Sequence, residues 1–381
     1  MTQYDYIFTG AGASGLSLLA RMIATGRFSG KKILLIDKSD KKQHDRTWCF
    51  WEKQPGFFEP LIRHRFEKLW FYSASYQALN DIYPYQYKLL RGIDFYNYCF
   101  DLIRSQANIE WLHEEVTAIS SDASGSFALV GNKRFSARYI FNSILFEKPA
   151  MNNKQFYLLQ HFKGWLINTT AAAFDPSAAT LMDFRVSQEV GTTFVYVMPF
   201  SETRALVEFT LFSPALLSPE KYEAGLKNYI NEFLNIREYR VEEEEFGVIP
   251  MTNVRFPKTT NNIIHLGTAG GQTKPSSGYT FQFIQKQAAK ITEALIRTDA
   301  PFYEESIAQK RFDLYDSTLL NILYHEKLQG ASIFTELFQK NKMAEVLEFL
   351  DNETSIAQEL RLITVLPKKV FMQAAFEQLF N

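Results

Sequence analysis

Apolar residues recur along the chain with more than one period, and the changes of period outline its elements. Tyr4 to Phe8 is a short, nearly continuous apolar run. Leu16, Leu18, Leu19, Met22 and Ile23 then recur at helical spacing and stop before Gly26, which predicts a strand followed by a helix from Ser14 to about Ala24, closed by a glycine C-cap. Ile33 to Ile36 is a second apolar strand ending at Asp37. Residues 69–90 alternate in part, with a break at Pro84, and predict strands of a second sheet. A helix follows Arg91, carried by Phe95, Tyr98, Cys99, Leu102 and Ile103. Ile109 to Leu112, the pair Glu114 to Ile119 and Phe127 to Val130, and Phe135 to Leu145 read as strands.

From about Gln155 to Ile249 strand-like segments dominate: Phe162 to Asn168, Ala179 to Phe184, Thr192 to Met198 and Ala205 to Phe212. One helix, about Pro219 to Leu234, interrupts them. This texture predicts a mixed or antiparallel sheet in a separate lobe. The acidic run Glu242 to Glu245 reads as a solvated strand edge or loop. Ile263 to Gly271 is a further strand entering a glycine turn, with a helix after it to about Ile296. The remainder, Tyr303 to Phe380, is mostly amphipathic helix with a break at Pro367.

The first turn carries the most specific chemistry. Gly10, Gly12 and Gly15 have the G-x-G-x-x-G spacing between a strand and a helix. The first glycine permits the tight turn, the second lets backbone approach a pyrophosphate, and the third lets the helix pack on the strand. The helix N-terminus presents N–H groups and a partial positive charge to phosphates. About twenty residues on, Asp37 ends the second strand, where an acid accepts hydrogen bonds from a ribose. Strand, turn, helix, second strand and acid together predict a dinucleotide site.

Composition narrows this. The 381 residues predict more than one domain. A formal net charge of -1 argues against a nucleic-acid partner. The 34 Phe and 19 Tyr call for large apolar cores or an apolar ligand cavity. Cys49 and Cys99 lack metal-ligand spacing, as do the histidines, so no metal site is expected and a reduced, cytoplasmic setting is. The glycine motif starts almost at Met1, which predicts no signal peptide. No apolar run approaches the ~20 residues that span a bilayer, although peripheral attachment needs only an exposed apolar face.

The late turn at Gly267 resembles the second glycine turn of flavoproteins of the p-hydroxybenzoate hydroxylase fold, whose usual Gly-Asp is Gly267-Thr268 here. The departure points to a narrower family. His265 to Gln282, Asp45-Arg46-Thr47-Trp48-Cys49-Phe50-Trp51, Gln160 to Trp165, Leu181 to Arg185, Arg204 to Ser213 and Gly247 to Met251 together resemble the flavin-dependent lycopene cyclases of the bacterial type. The resemblance implies an α/β fold: an FAD-binding, Rossmann-like domain, a mixed or antiparallel sheet forming a substrate lobe, and C-terminal helices. With the lobes interleaved, the FAD-binding parts are expected at 1–68, 91–150 and 256–297, the substrate lobe at 69–90 and 151–255, and the helical region at 298–381.

The implied activity is that of an isomerase, an intramolecular lyase. It closes the ψ-ends of lycopene or related carotenoids into β-rings by carbocation chemistry, through γ-carotene to β-carotene, using reduced FAD with NAD(P)H as electron donor and no net redox change. A redox flavoenzyme of the same fold, either a hydroxylase or a prenyl-lipid reductase, and a carotenoid-binding flavoprotein are the alternatives. A hydrocarbon substrate also implies peripheral membrane contact, for which the C-terminal apolar helices are candidates.

The implied cofactor contacts are Gly10, Gly12, Ala13, Gly15, Asp37, Lys38, Arg91, Val116, Gly267, Thr268, Gly270, Gly271, Gly278 and Tyr279. For catalysis the resemblance points to Glu208. The family motif there has a second acid, replaced by Phe209 in this chain, which leaves Glu208 alone. Periodicity puts Glu208 between Leu206 and Thr210 on a mixed face, which suits either water or a site. Asp183 is the second candidate, as a cation-guiding carboxylate or simply the partner of Arg185. Trp48, Trp51, Phe184 and Tyr196 either line a polyene tunnel, where ring faces stabilise a cation, or are plain core.

Overall fold

The computed structural model describes residues 3–122, 125–304, 306 and 308–380. β1 (Gln3–Thr9), α1 (Ala13–Ala24) and β2 (Ile33–Asp37) form the opening βαβ-type unit. β3 (Thr47–Glu52), β4 (His64–Phe66), β5 (Lys68–Tyr72), β6 (Gln77–Asp81) and β7 (Gln86–Arg91) follow, then α2 (Gly92–Arg104), β8 (Ile109–His113), β9 (Ala118–Asp122), β10 (Gly125–Val130) and β11 (Lys133–Asn142). The second lobe takes β12 (Tyr157–Thr169), β13 (Ala178–Asp183), β14 (Thr192–Ser201), β15 (Arg204–Ser213), α3 (Pro219–Glu232) and β16 (Tyr239–Thr252). The chain returns through β17 (Thr259–Thr260), β18 (Ile263–His265) and α4 (Phe281–Thr298). It closes with α5 (Gln309–Tyr324), α6 (Gly330–Lys340), α7 (Met343–Leu350), α8 (Ile356–Ile363) and α9 (Lys368–Phe380).

The nucleotide-type sheet has the order β17-β18-β11-β1-β2-β8, parallel from β18 to β8, with the β9–β10 hairpin attached to β11. The apolar run of β1 suits this place, because a parallel strand is covered on both faces. Helices α1, α2 and α4 cover one side, with Leu16, Phe95 and Ile291 in the core. The hairpin begins at Ala118 rather than Glu114, so that expectation shifts by several residues.

The substrate-lobe sheet runs β16-β12-β15-β14-β13-β5-β6, antiparallel except where β13 meets β5. One face packs under α3, with Val207, Phe209 and Leu226 in its core. The other face meets the C-terminal helices, where Phe71, Phe184 and Phe194 pack with Phe334 and Phe338. Residues 86–90, expected in this sheet, are not there. β7 instead pairs with β3 and β4 in a separate sheet of order β3-β7-β4. Alternation shows that β7 is a strand and leaves its neighbours open; here Leu89 enters the substrate-lobe core and Leu90 the nucleotide-lobe core, so β7 ties the two together.

Candidate active site

The two glycine turns meet at the N-terminus of α1. Gly10 has φ +99, and a side chain there would lie 2.2 Å from Ser143 Oγ. A Cβ on Gly15 would sit 2.3 Å from the Gly10 carbonyl. A Cβ on Gly12 would meet nothing within 4 Å. The first and third glycines are thus required by packing, while the second leaves open space at the helix N-terminus, as a diphosphate needs. Gly267, at φ +55, would place a side chain 2.6 Å from Ser14 Oγ. That close approach brings the late turn, Gly267 to Gly271, onto the start of α1.

Asp37 Oδ2 accepts from the Ala11 N–H at 2.6 Å, and Lys41 Nζ lies 3.6 Å from it. Lys38 is exposed and pairs with Glu115. The Val116 side chain is buried beside Leu34, Ile36 and Ala128. The glycine turns and Asp37 leave a cradle fit for a dinucleotide, while Lys38 is tied to Glu115 and Val116 belongs to the core.

Glu208 sits at the centre of the substrate-lobe sheet, and its strand register builds the rest of the site. It lies opposite Tyr196 on β14 and Gly164 on β12, and Gly164 lies opposite Glu245 on β16. Cross-strand partners share a face, so Tyr196, Glu208 and Glu245 project to the same side. Gly164 is the gap between the acids. A Cβ there would come within 2.9 Å of Glu245 Cγ and 3.2 Å of Leu206 Cδ1. Glu245 leans across the space that the glycine leaves.

The two carboxyls are close enough to act on each other across that gap. Ionised carboxylates only accept, so a hydrogen bond between the two takes one shared proton. Among the described residues no N–H or hydroxyl donates to Glu245 Oε1, which lies 3.2 Å from where a Gly164 Cβ would stand, at the gap between the acids. Thr47 Oγ1 donates to Glu245 Oε2 at 3.0 Å, and Thr210 Oγ1 to Glu208 Oε1 at 2.9 Å. Burial, and then the Glu245 charge, push Glu208 well above the ordinary carboxylate range. Glu245 is pushed up as well, mainly by burial.

The surroundings are apolar and aromatic. Burial, then Glu208, then Glu245 raise the thiol of Cys49, whose Sγ is 3.1 Å from Met198 Sδ. The Tyr196 and Tyr279 hydroxyls are 3.4 Å apart, and Tyr279 stands edge-on to Trp51 at 4.7 Å. From Tyr196 a row of rings continues through Phe194 and Phe184 to Phe334, with centroid separations of 5.2, 5.2 and 5.6 Å.

The site therefore gathers Glu208, Tyr196, Phe184, Trp51 and Tyr279, but not every residue singled out in the sequence. Trp48 points to the other face of β3 and packs on Phe95 and Phe281 in the nucleotide-lobe core. Asp183 is also absent. It pairs with Val195 across the strands, and Val195 lies opposite Phe209 on the α3 face. There it accepts from Arg185 Nε at 2.9 Å and from the Tyr229 hydroxyl at 2.8 Å. Of its two expected roles, the structural pair with Arg185 is the one its surroundings match.

Arg91, the N-cap of α2, holds Glu243 through Nη2 at 2.9 and 3.1 Å. The acidic run is not uniformly solvated: Glu244 is exposed and Glu245 is 5% exposed. Glu245, Gly164 and Thr47 escaped sequence reasoning as site residues. A glycine in mid-strand was the available signal, since it marks a close approach.

The family model described as "Lycopene cyclase protein" matches residues 5–376. A lycopene beta-cyclase of Pseudescherichia vulneris is 21% identical over 321 residues, covering 79% of this chain and 76% of the relative. One from Pantoea ananas is 25% identical over 319 residues, covering 79% and 77%. Among solved structures, a geranylgeranyl bacteriochlorophyll reductase-like protein from Thermoplasma acidophilum superposes with a TM-score of 0.69 at 14% identity, over 99% of this chain and 100% of that one. A flavin-dependent brominase does so at 0.61 and 10% identity, over 99% of both chains. The fold is thus the α/β flavoprotein fold of the p-hydroxybenzoate hydroxylase type, with its added sheet and C-terminal helices.

Proposed function

Since the chain belongs to the lycopene cyclase protein family, we propose that it is a lycopene beta-cyclase. It closes the ψ-ends of lycopene into β-rings, through the one-ring γ-carotene to β-carotene, without net redox change. The observation that carries this reading is the burial of Glu208 in an aromatic surround, which pushes its carboxyl well above the ordinary range. An alkene is a very weak base, and only an acid held protonated away from water suits its protonation.

The glycine cradle fits FAD, held by the Gly10–Gly15 turn, Asp37 and the Gly267–Gly271 turn. Bound there and reduced by NAD(P)H, the flavin would supply negative charge that favours a carbocation. The remaining work falls to the chain itself. Glu208 donates its proton to the terminal double bond. The faces of Tyr196, Tyr279 and Trp51 stabilise the cation and exclude water that would trap it. The neighbouring double bond closes the six-membered ring, and the carboxylate takes the proton that the ring loses.

No helix among the described residues is long and apolar enough to cross a membrane. Substrate then reaches the site from a bilayer surface through peripheral contact. In α9, Met372, Phe376 and Leu379 are exposed at helical spacing, which suits such contact.

Expression in a lycopene-accumulating bacterial host tests the reading. Bicyclic product on chromatography, with red cells turning orange-yellow, is the expected outcome. Unchanged lycopene in cells holding folded, FAD-loaded protein would overturn it. NAD(P)H consumed in proportion to product would point instead to a redox flavoenzyme.

A further inference from the structure

Glu208 is buried and does not line the cleft that opens beside it. Its sheet faces are covered by α3 on one side and by β3, β7 and the aromatic residues on the other. Glu245 differs. A small cleft opens between the two lobes and is lined by His44, Thr47, Arg91, Glu243 and Glu245, but not by Glu208. Glu245 thus reaches the solvent-connected cleft and the buried acid at once.

Its two oxygens are differentiated accordingly. Oε2 is held by Thr47 at the cleft, while Oε1 takes no N–H or hydroxyl donor among the described residues and faces the gap over Gly164, across which Glu208 lies. Gly164 makes the contact sterically possible. At the mouth, Glu243 is held by Arg91 at 2.9 Å and lies 3.7 Å from His44 Nε2. The charged groups acting on Glu245 are therefore Glu208, Glu243 and Arg46, with Arg91 and His44 one contact further out.

We propose that Glu245 is the inner end of a proton inlet: it shares one proton with Glu208 and exchanges that proton with water in the cleft between turnovers. This rests on the cyclase reading and adds a residue and a route to it. The balance closes for each ring. The π pair of the terminal alkene forms a C–H bond with the proton from Glu208. The second alkene supplies the pair for the new C–C bond. A ring C–H bond then breaks, its electrons form the ring double bond, and its proton returns to the carboxyl pair. Nothing is oxidised or reduced. With the inlet open, the returned proton is replaced from water before the next substrate arrives.

The test is turnover of lycopene in vesicles, in deuterated water, by the FAD-loaded full chain, with deuterium per ring read by mass spectrometry. The wild type is expected to give one deuterium per ring. Glu245→Gln leaves Glu208 to recycle the proton it has just received, and the content falls by about twofold or more over many turnovers. Wild-type deuterium content from a turning-over Glu245→Gln enzyme would overturn the inlet and leave the cyclase reading intact. Should Glu245→Gln give no product, Thr47→Val decides. It keeps both carboxyls and removes only the donor at the cleft end. A lowered content then supports the inlet and an unchanged one overturns it. A wild type that forms no ring at all removes the cyclase reading itself.

Discussion

The two faces of the substrate-lobe sheet bury acids in opposite ways. On the α3 face, Asp183 is fully buried but meets a guanidinium and a phenol, Arg185 and Tyr229. Its negative charge is neutralised where it stands. On the other face, Glu208 meets one threonine hydroxyl and a second acid. It has no counter-cation, and burial favours its neutral form. Burial thus produces a structural ion pair on one side and a proton store on the other. Depth alone does not make an acid catalytic; the partners decide.

This contrast can be broken by mutation. Glu208→Gln has the largest expected effect, a loss of about 10²–10⁴-fold in cyclisation rate with FAD content unchanged, measured by product chromatography beside flavin absorbance. A variant that kept full rate would remove Glu208 from the chemistry. Asp183→Ala should act on stability instead. It costs about 3 kcal/mol in denaturant unfolding, near the low end for a broken buried pair because Arg185 keeps some water contact. The folded fraction should keep its rate, and a rate loss comparable to that of Glu208→Gln would erase the distinction between the faces.

Gly164→Ala is predicted to push Glu245 and Leu206 aside. The cost is about 1–3 kcal/mol of packing strain, with about a tenfold loss of rate from the displaced carboxyl. A variant of unchanged rate would show that the gap between the acids is dispensable. Tyr229→Phe removes one hydrogen bond to Asp183 and should cost about 1 kcal/mol without affecting rate.

The faces should also differ in pH dependence. Glu208 is raised, so its contribution to stability is complete below the ordinary carboxyl value of about 4.3 and is lost as pH rises through the raised value. Glu208→Gln should flatten that alkaline loss in thermal melts. On the α3 side, burial depresses His161 to about 4. Its contribution is complete above the ordinary histidine value of about 6.5 and is lost as pH falls toward 4. His161→Asn should lessen that acid-side loss, the smallest of these effects.

How much of this was legible in the sequence follows from how local each signal is. The glycine turn and Asp37 were, because strand, turn and acid lie within one unit whose spacing carries the chemistry. Glu245 was not. Its place depends on β16, β12 and β15 lining up in register, and from sequence alone Glu242 to Glu245 looks like any solvated run. Two-residue alternation along 181–183 would put Asp183 on the same side as Leu181. The register slips between Thr180 and Asp183, where three residues on β13 span two on β14. That bulge turns Asp183 to the α3 face while Leu181 stays in the opposite core. Trp48 and Trp51 were grouped by nearness in sequence, although they sit three residues apart on a strand, where odd spacing separates faces.

The late glycine loop is fastened from behind by the end of the chain. Buried Lys274 reaches Asp316 at 2.9 Å and Asn352 at 2.7 Å, Ser276 donates to Asp316 at 2.6 Å, and the Trp51 indole donates to the Leu347 carbonyl at 3.1 Å. Synthesis runs from the N-terminus, so the first nucleotide turn leaves the ribosome long before the residues that close the site around it. A nascent chain halted before Asp316 carries Lys274 with no counter-charge and cannot set this loop. Firm retention of FAD should therefore appear as a late step, after Asn352 has emerged, and ribosome-arrested chains of graded length would register it as an abrupt gain in bound flavin.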